Sequence, residues 1–217
     1  MWQPTTLVLI LLISQSQGHL KDDGKCNGFQ SNFSFKSVIG SWHVVAIVPE
    51  SLPKNHSVSC YQVDFSETDV GGLRWLVNQT IDTKIKPEIL SKVGGLVIRQ
   101  RYHSQQPFDV WSKAVEGVNG CFEQVLSLNH TDKKDINRAL TQNERMQLHL
   151  LTTKHSKNPL LLQMLWSKMI TAVIYSRNKD VNMNQLLETM EFLKKLRGAE
   201  SMMEPTVCDE LLSDKLA

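Results

Sequence analysis

From Trp42 to Tyr175 the chain repeats one signal. Short apolar or alternating stretches recur, separated by Gly, Pro and polar turns, and none is long enough for a helical core. The stretches run Trp42 to Val48, Val58 to Phe65, Leu73 to Thr80, Gly94-Gly95 through Tyr102, Phe108 to Val115, Cys121 to Leu128, Met146 to Thr153, Leu160 to Trp166 and Ile170 to Tyr175. This reads as eight or nine strands, the margin being whether 108–128 is two strands or one bent strand. Proline closes the first stretch at Pro49 and Pro53, since proline donates nothing to a ladder. Pro87 breaks the linker after the third. The pattern then changes once. Leu186, Leu187, Met190, Leu193 and Leu196 recur at helical spacing, Asn182 or Asp180 caps the start and Gly198 stops the run. Sequential antiparallel strands with short turns favour an all-β, eight-stranded up-and-down antiparallel β-barrel, with one C-terminal α-helix packed outside. Closure removes the edges that an open sheet exposes.

The first residues carry a second constraint. Leu7 to Ile13 is apolar without interruption, and Ser16 and Gly18 stand where a signal peptidase cuts. The apolar run falls well short of the about 20 residues that span a bilayer. Residues 1–18 read as a signal peptide and 19–217 as one domain, with a barrel over about 40–178, a helix over about 182–197 and a tail over 198–217. Cys26, Cys60, Cys121 and Cys208 are far apart and form no Cys-x-x-Cys motif, which points to two disulfides with three pairings open. Sequons at Asn32, Asn55, Asn78 and Asn129 agree with a secreted, extracellular glycoprotein. A net charge of +2 leaves no basic footprint for nucleic acid, and nothing after the leader reads as membrane-spanning.

Face assignments follow from alternation. A glycan on Asn78 must face water, which places Leu76 and Arg74 outward and Leu73, Trp75 and Val77 inward. The expected interior is Tyr61, Val63, Trp75, Val77, Ile98, Tyr102, Phe122, Leu126, Leu148 and Leu150, with Gln79 and Gln100 as polar points. No Gly-x-Ser-x-Gly, His-Glu-x-x-His or phosphate-binding loop occurs. His149 and His155 read as surface residues, and Glu188 and Glu191 as the solvated face of the late helix. The expectation is a protein without enzymatic activity, metal or cofactor.

Taken together, these features resemble the lipocalin family, closest to the apolipoprotein D-like and arthropod secreted lipocalins. The residues that carry the likeness are Cys26 ahead of Gly40-Ser41-Trp42, Cys60 at the second strand, Tyr175-Ser176-Arg177-Asn178 before the helix, and Cys208 in the tail. The family's middle Thr-Asp-Tyr motif is absent, and the polar stretch 129–143 departs from its compact pattern. The resemblance implies a calyx-shaped barrel closed by Gly40, Trp42 and Arg177, the arginine lying across the indole. It implies the pairs Cys26–Cys121 and Cys60–Cys208, the second tethering the tail. It also implies carriage or sequestration of a small hydrophobic ligand of the fatty acid, sterol, retinoid or tetrapyrrole class, with a cell-surface receptor as a further partner. The alternative is an extracellular interaction or inhibitor module whose barrel is filled and which acts through its loops.

Overall fold

The computed structural model describes residues 26, 34–49, 60–104, 106–129, 145–154, 156–165, 170–179, 181–197 and 205–208. A turn of 3-10 helix, Phe35–Ser37, precedes β1 (Gly40–Pro49) and β2 (Gln62–Glu67). Two helices follow, α1 (Val70–Thr80) and α2 (Lys86–Lys92). Then come β3 (Val97–Tyr102), β4 (Phe108–Ala114), β5 (Cys121–Asn129), β6 (Arg145–Thr153), β7 (Ser156–Leu165) and β8 (Ile170–Ser176). The long helix α3 (Met183–Arg197) and the short strand β9 (Thr206–Val207) end the described chain.

Each strand pairs antiparallel with the next, from β2 to β8. β1 then closes the sheet, because its two edges take different partners. Trp42 lies opposite Val63 of β2, and Val44 lies opposite Tyr175 of β8. The result is a closed eight-stranded antiparallel barrel with α3 packed outside, and β9 as an extra strand beside Ala46 and Ile47.

Two outer layers cover the barrel. Leu186, Met190, Leu193 and Leu196 of α3 pack on Val45, Val48, Leu160, Leu162 and Ile174. This is the apolar stripe legible in the sequence, meeting outward residues of β1, β7 and β8. On another side, Leu73 and Val77 of α1 and Ile89 of α2 pack on Val97, Trp111, Val125 and Leu126. β1 and β7 therefore carry apolar residues on both faces, which explains their continuous rather than alternating hydrophobic runs.

The segment Leu73 to Thr80 is a helix, not the expected strand. Asp69 caps it, its carboxylate accepting from the amides of Gly71 and Gly72 at 3.0 and 2.9 Å. Val70, Leu73 and Val77 then fall on one helical face and are drawn onto the barrel wall. The linker after it holds α2, with Pro87 in the first turn, where its missing N–H is no loss. The expected leader, the sequons Asn32 and Asn55, His155, and nearly all of the 129–143 stretch and tail lie outside the described residues.

Disulfides join Cys26 to Cys121 and Cys60 to Cys208, with Cα–Cα separations of 6.0 and 5.2 Å. The first holds the chain before β1 against the start of β5. The second fixes β9, whose neighbour Cys208 donates its amide to Val45 O at 3.1 Å.

Candidate functional site

At one end of the barrel, a residue of the first strand meets a residue that follows the eighth. The Arg177 guanidinium carbon stands 4.0 Å from the centre of the Trp42 ring. Its nitrogens donate to the carbonyls of Ser41 at 3.0 Å, Ser37 at 3.1 Å and Ile39 at 2.8 Å. Trp42 is fully buried, and its indole N–H donates to Val38 O at 2.7 Å. The arginine thus ties the 3-10 turn to the start of β1 while its flat face covers the indole. Gly40 makes the approach feasible. Its φ is +109°, and a Cβ there would lie 2.8 Å from Arg177 Nη1.

Of the residues expected inside, Tyr61, Val63, Ile98, Tyr102, Phe122, Leu148 and Leu150 belong to one cluster with Trp42, Phe65, Met146, Leu161 and Tyr175. Three do not. Trp75 projects from α1 and is 65% exposed, and Val77 packs under α1 against the outer wall. Gln79 is exposed on the same helix. Leu126 faces outward because the β4–β5 register slips beside it. Trp111 pairs with Leu126 but Ser112 pairs with Gln124, so Val125 bulges and the residues beyond it change face. Asn78 is exposed on α1, and Asn129 ends β5.

Sequence reasoning missed the polar group in the middle of this interior. Gln163 Oε1 accepts from Tyr175 O–H at 2.7 Å and from Gln100 Nε2 at 2.8 Å. Gln100 Nε2 also donates to the Tyr102 hydroxyl at 3.0 Å, and Gln163 Nε2 reaches Met146 Sδ at 3.2 Å. Gln100 lies on β3 and Gln163 on β7, which stand opposite one another in an eight-stranded ring. Their hydrogen bond therefore bridges the barrel from wall to wall. Gln163 is signalled in the sequence only as a polar residue inside Leu160 to Leu165, an exception in an otherwise apolar strand.

Aromatic rings surround the bridge. Tyr102 stacks on Phe108 at 4.4 Å, Phe65 meets Tyr175 edge-on at 5.7 Å, and Tyr61 lies 6.1 Å from Tyr102. Burial pushes the Tyr61 phenol up. Burial pushes Tyr102 and Tyr175 up as well, helped by the neighbouring phenols and, at Tyr102, partly offset by its hydrogen bonds to Tyr175 and Gln163. All of these hydroxyls stay protonated and neutral at physiological pH.

His149, expected at the surface, is 3% exposed beneath α3 with its ring edge-on to Phe192 at 5.4 Å. Burial pulls its pKa down to about 4, so it is a neutral element of the outer packing. Outside the closed end, an open cleft of about 430 Å³ lies between the 3-10 turn and the β4–β5 connection, lined by Phe35, Leu96, Val118 and Phe122 among others. Among the described residues no cluster of three His, Cys, Asp or Glu is placed to hold a metal. No described helix is long and apolar enough to cross a membrane.

Compared with protein-family models and with curated proteins, the chain matches none.

Proposed function

We propose that this protein is a secreted, lipocalin-like carrier that binds or sequesters a small hydrophobic molecule inside its barrel. One observation carries the reading. The interior has apolar and aromatic walls, and a hydrogen-bonded group of Gln100, Gln163, Tyr102 and Tyr175 crosses it from wall to wall. A barrel filled only for stability needs no buried amides, whose desolvation is a cost that must be recovered in hydrogen bonds. Apolar walls with a few convergent polar groups are the usual make-up of a small-ligand site. Burial of ligand surface at about 25 cal/mol per Å² supplies the affinity. The two disulfides and the exposed sequon at Asn78 support an extracellular setting.

Native mass spectrometry of the protein purified from its own secretions is the test. Retention of a small apolar molecule, together with displacement of a fluorescent apolar probe by that class of compound, is the expected result. A folded barrel that carries nothing and takes up no probe overturns the reading in favour of an interaction module with a filled barrel.

A further inference from the structure

The buried amides of the bridge fix one another's orientation. Met146 Sδ lies 3.2 Å from Gln163, and a thioether sulfur accepts hydrogen bonds but donates none. Gln163 must therefore turn its NH2 toward Met146 and its Oε1 toward Tyr175 and Gln100. Gln100 must answer with its own NH2, which serves Gln163 Oε1 and the Tyr102 oxygen together. Reversing either amide would set oxygen against sulfur or oxygen against oxygen. What remains is Gln100 Oε1. Gln100 is 0% exposed, and this oxygen has no hydrogen-bond partner among the described residues. A carbonyl oxygen stripped of water and left unpaired is costly, so such an atom signals a missing donor.

The charge distribution narrows what that donor is. Among the described residues no lysine or arginine is buried. Arg99 and Arg101, which flank Gln100 on β3, point to the opposite face and pair there with Asp109. The tyrosines at the bridge are neutral. A carboxylate entering this interior would meet no buried counter-charge among the described residues and would set its oxygens against an acceptor. An ammonium would be equally uncompensated. A neutral hydroxyl fits, because it donates to Gln100 Oε1 and carries no charge to desolvate.

We propose that the interior selects a neutral hydroxyl-bearing apolar molecule, of the sterol, retinol or long-chain alcohol type, over the corresponding carboxylic acid, with Gln100 Oε1 accepting the ligand hydroxyl. This rests on the carrier reading above and narrows its ligand class.

The experiment uses the full secreted protein at neutral pH and displacement of a bound apolar fluorophore by hexadecanol, hexadecanoic acid and methyl hexadecanoate. The chains match, so their apolar burial is nearly the same, while the head groups are donor, anion and acceptor. Hexadecanol is expected to displace at about 10-fold lower concentration than either of the others, the effect of one well-placed buried hydrogen bond. Gln100→Met should bring the alcohol to within about twofold of the ester, with near-ultraviolet circular dichroism and thermal unfolding of the variant reporting its fold. Equal potency of the three compounds, or an advantage for the acid, overturns the selection but leaves the carrier reading intact. An alcohol preference that survives Gln100→Met overturns the role of Gln100. Displacement by none of them overturns selection and carriage together. The wild-type comparison is decisive by itself if the variant does not fold.

Discussion

Arg177 and Trp42 are 135 positions apart in sequence, yet the guanidinium lies 4.0 Å above the indole and donates to the carbonyls of Ser37, Ile39 and Ser41. This contact makes the sealed end depend on both termini of the barrel. Arg177→Lys keeps the charge but loses the flat face and the fork that reaches several carbonyls. With the group partly in solvent, a loss of about 1–2 kcal/mol is expected. Gly40→Ala forces a side chain onto Arg177 at a positive φ and is expected to cost about 1–3 kcal/mol. Urea unfolding followed by tryptophan fluorescence measures both, and unchanged midpoints would dismiss the contact as incidental.

The Cys60–Cys208 bridge closes a span of 148 residues. Replacing both cysteines by serine should cost about 2–5 kcal/mol by freeing the unfolded chain. Hydrogen exchange separates this from a general loss of stability. The amide of residue 208, bonded to Val45 O, should exchange much faster, while amides at the β1–β8 pairing remain protected. Uniform acceleration of all amides would show that the tail is not an independent unit.

His149 makes stability depend on acid. Its folded pKa is depressed to about 4, below the unfolded value of about 6.5, so the unfolded state binds the proton first. Its contribution is full above the unfolded value and is lost as pH falls through this window, amounting to on the order of 2–3 kcal/mol. The loss levels off below the folded pKa. Denaturant midpoints measured across the window should fall in the wild type and fall less in His149→Phe. Identical slopes would place the titration elsewhere.

The chain has 3 tyrosines, Tyr61, Tyr102 and Tyr175, and each has a raised pKa. An unfolded phenol ionises near 10, so folding should hold all of them protonated above that pH, and stability should decline as pH rises past it. Ultraviolet titration of the native protein should show tyrosinate appearing only above the ordinary phenol range. A phenol that titrates normally in the folded state would place that side chain in water.

Trp75 distinguishes the helix from the expected strand. At 65% exposure on α1, Trp75→Ala should change stability by no more than about 0.5 kcal/mol. Trp111→Ala, beneath the same helices, should cost about 3–5 kcal/mol. A large cost at Trp75 would restore it to a packed interior.

Much of the barrel was legible because its strands alternate or run apolar between strong breaks. Eight of the expected strand segments overlap β1 to β8, and the stripe from Leu186 to Leu196 marks α3. The failure at Leu73 to Thr80 has a local cause. Gly71 and Gly72, each about 1 kcal/mol worse than alanine in a helix, look like a turn, and an apolar run after a turn looks like a strand. The contrary signal was Asp69 capping Val70, Leu73 and Val77 at helical spacing. Assuming a strand then allowed the Asn78 sequon to fix a register that does not exist. Leu126 was unreadable for a different reason. A one-residue bulge leaves no mark in composition but turns everything beyond it over. At the interior site, Gln100 was visible as a polar residue between Ile98 and Tyr102 on one face of β3. That Gln163 would meet it was not, because the contact crosses the barrel between strands 63 positions apart.

The way β1 joins the sheet has a consequence for biosynthesis. It emerges first from the ribosome, yet its partner along Val44 to Val48 is β8, made more than a hundred residues later. At ordinary translation speeds that edge stands bare for on the order of ten seconds. The nascent chain must be shielded over that interval, so the seam between the first and last barrel strands is where misassembly should begin when synthesis outruns chaperone supply.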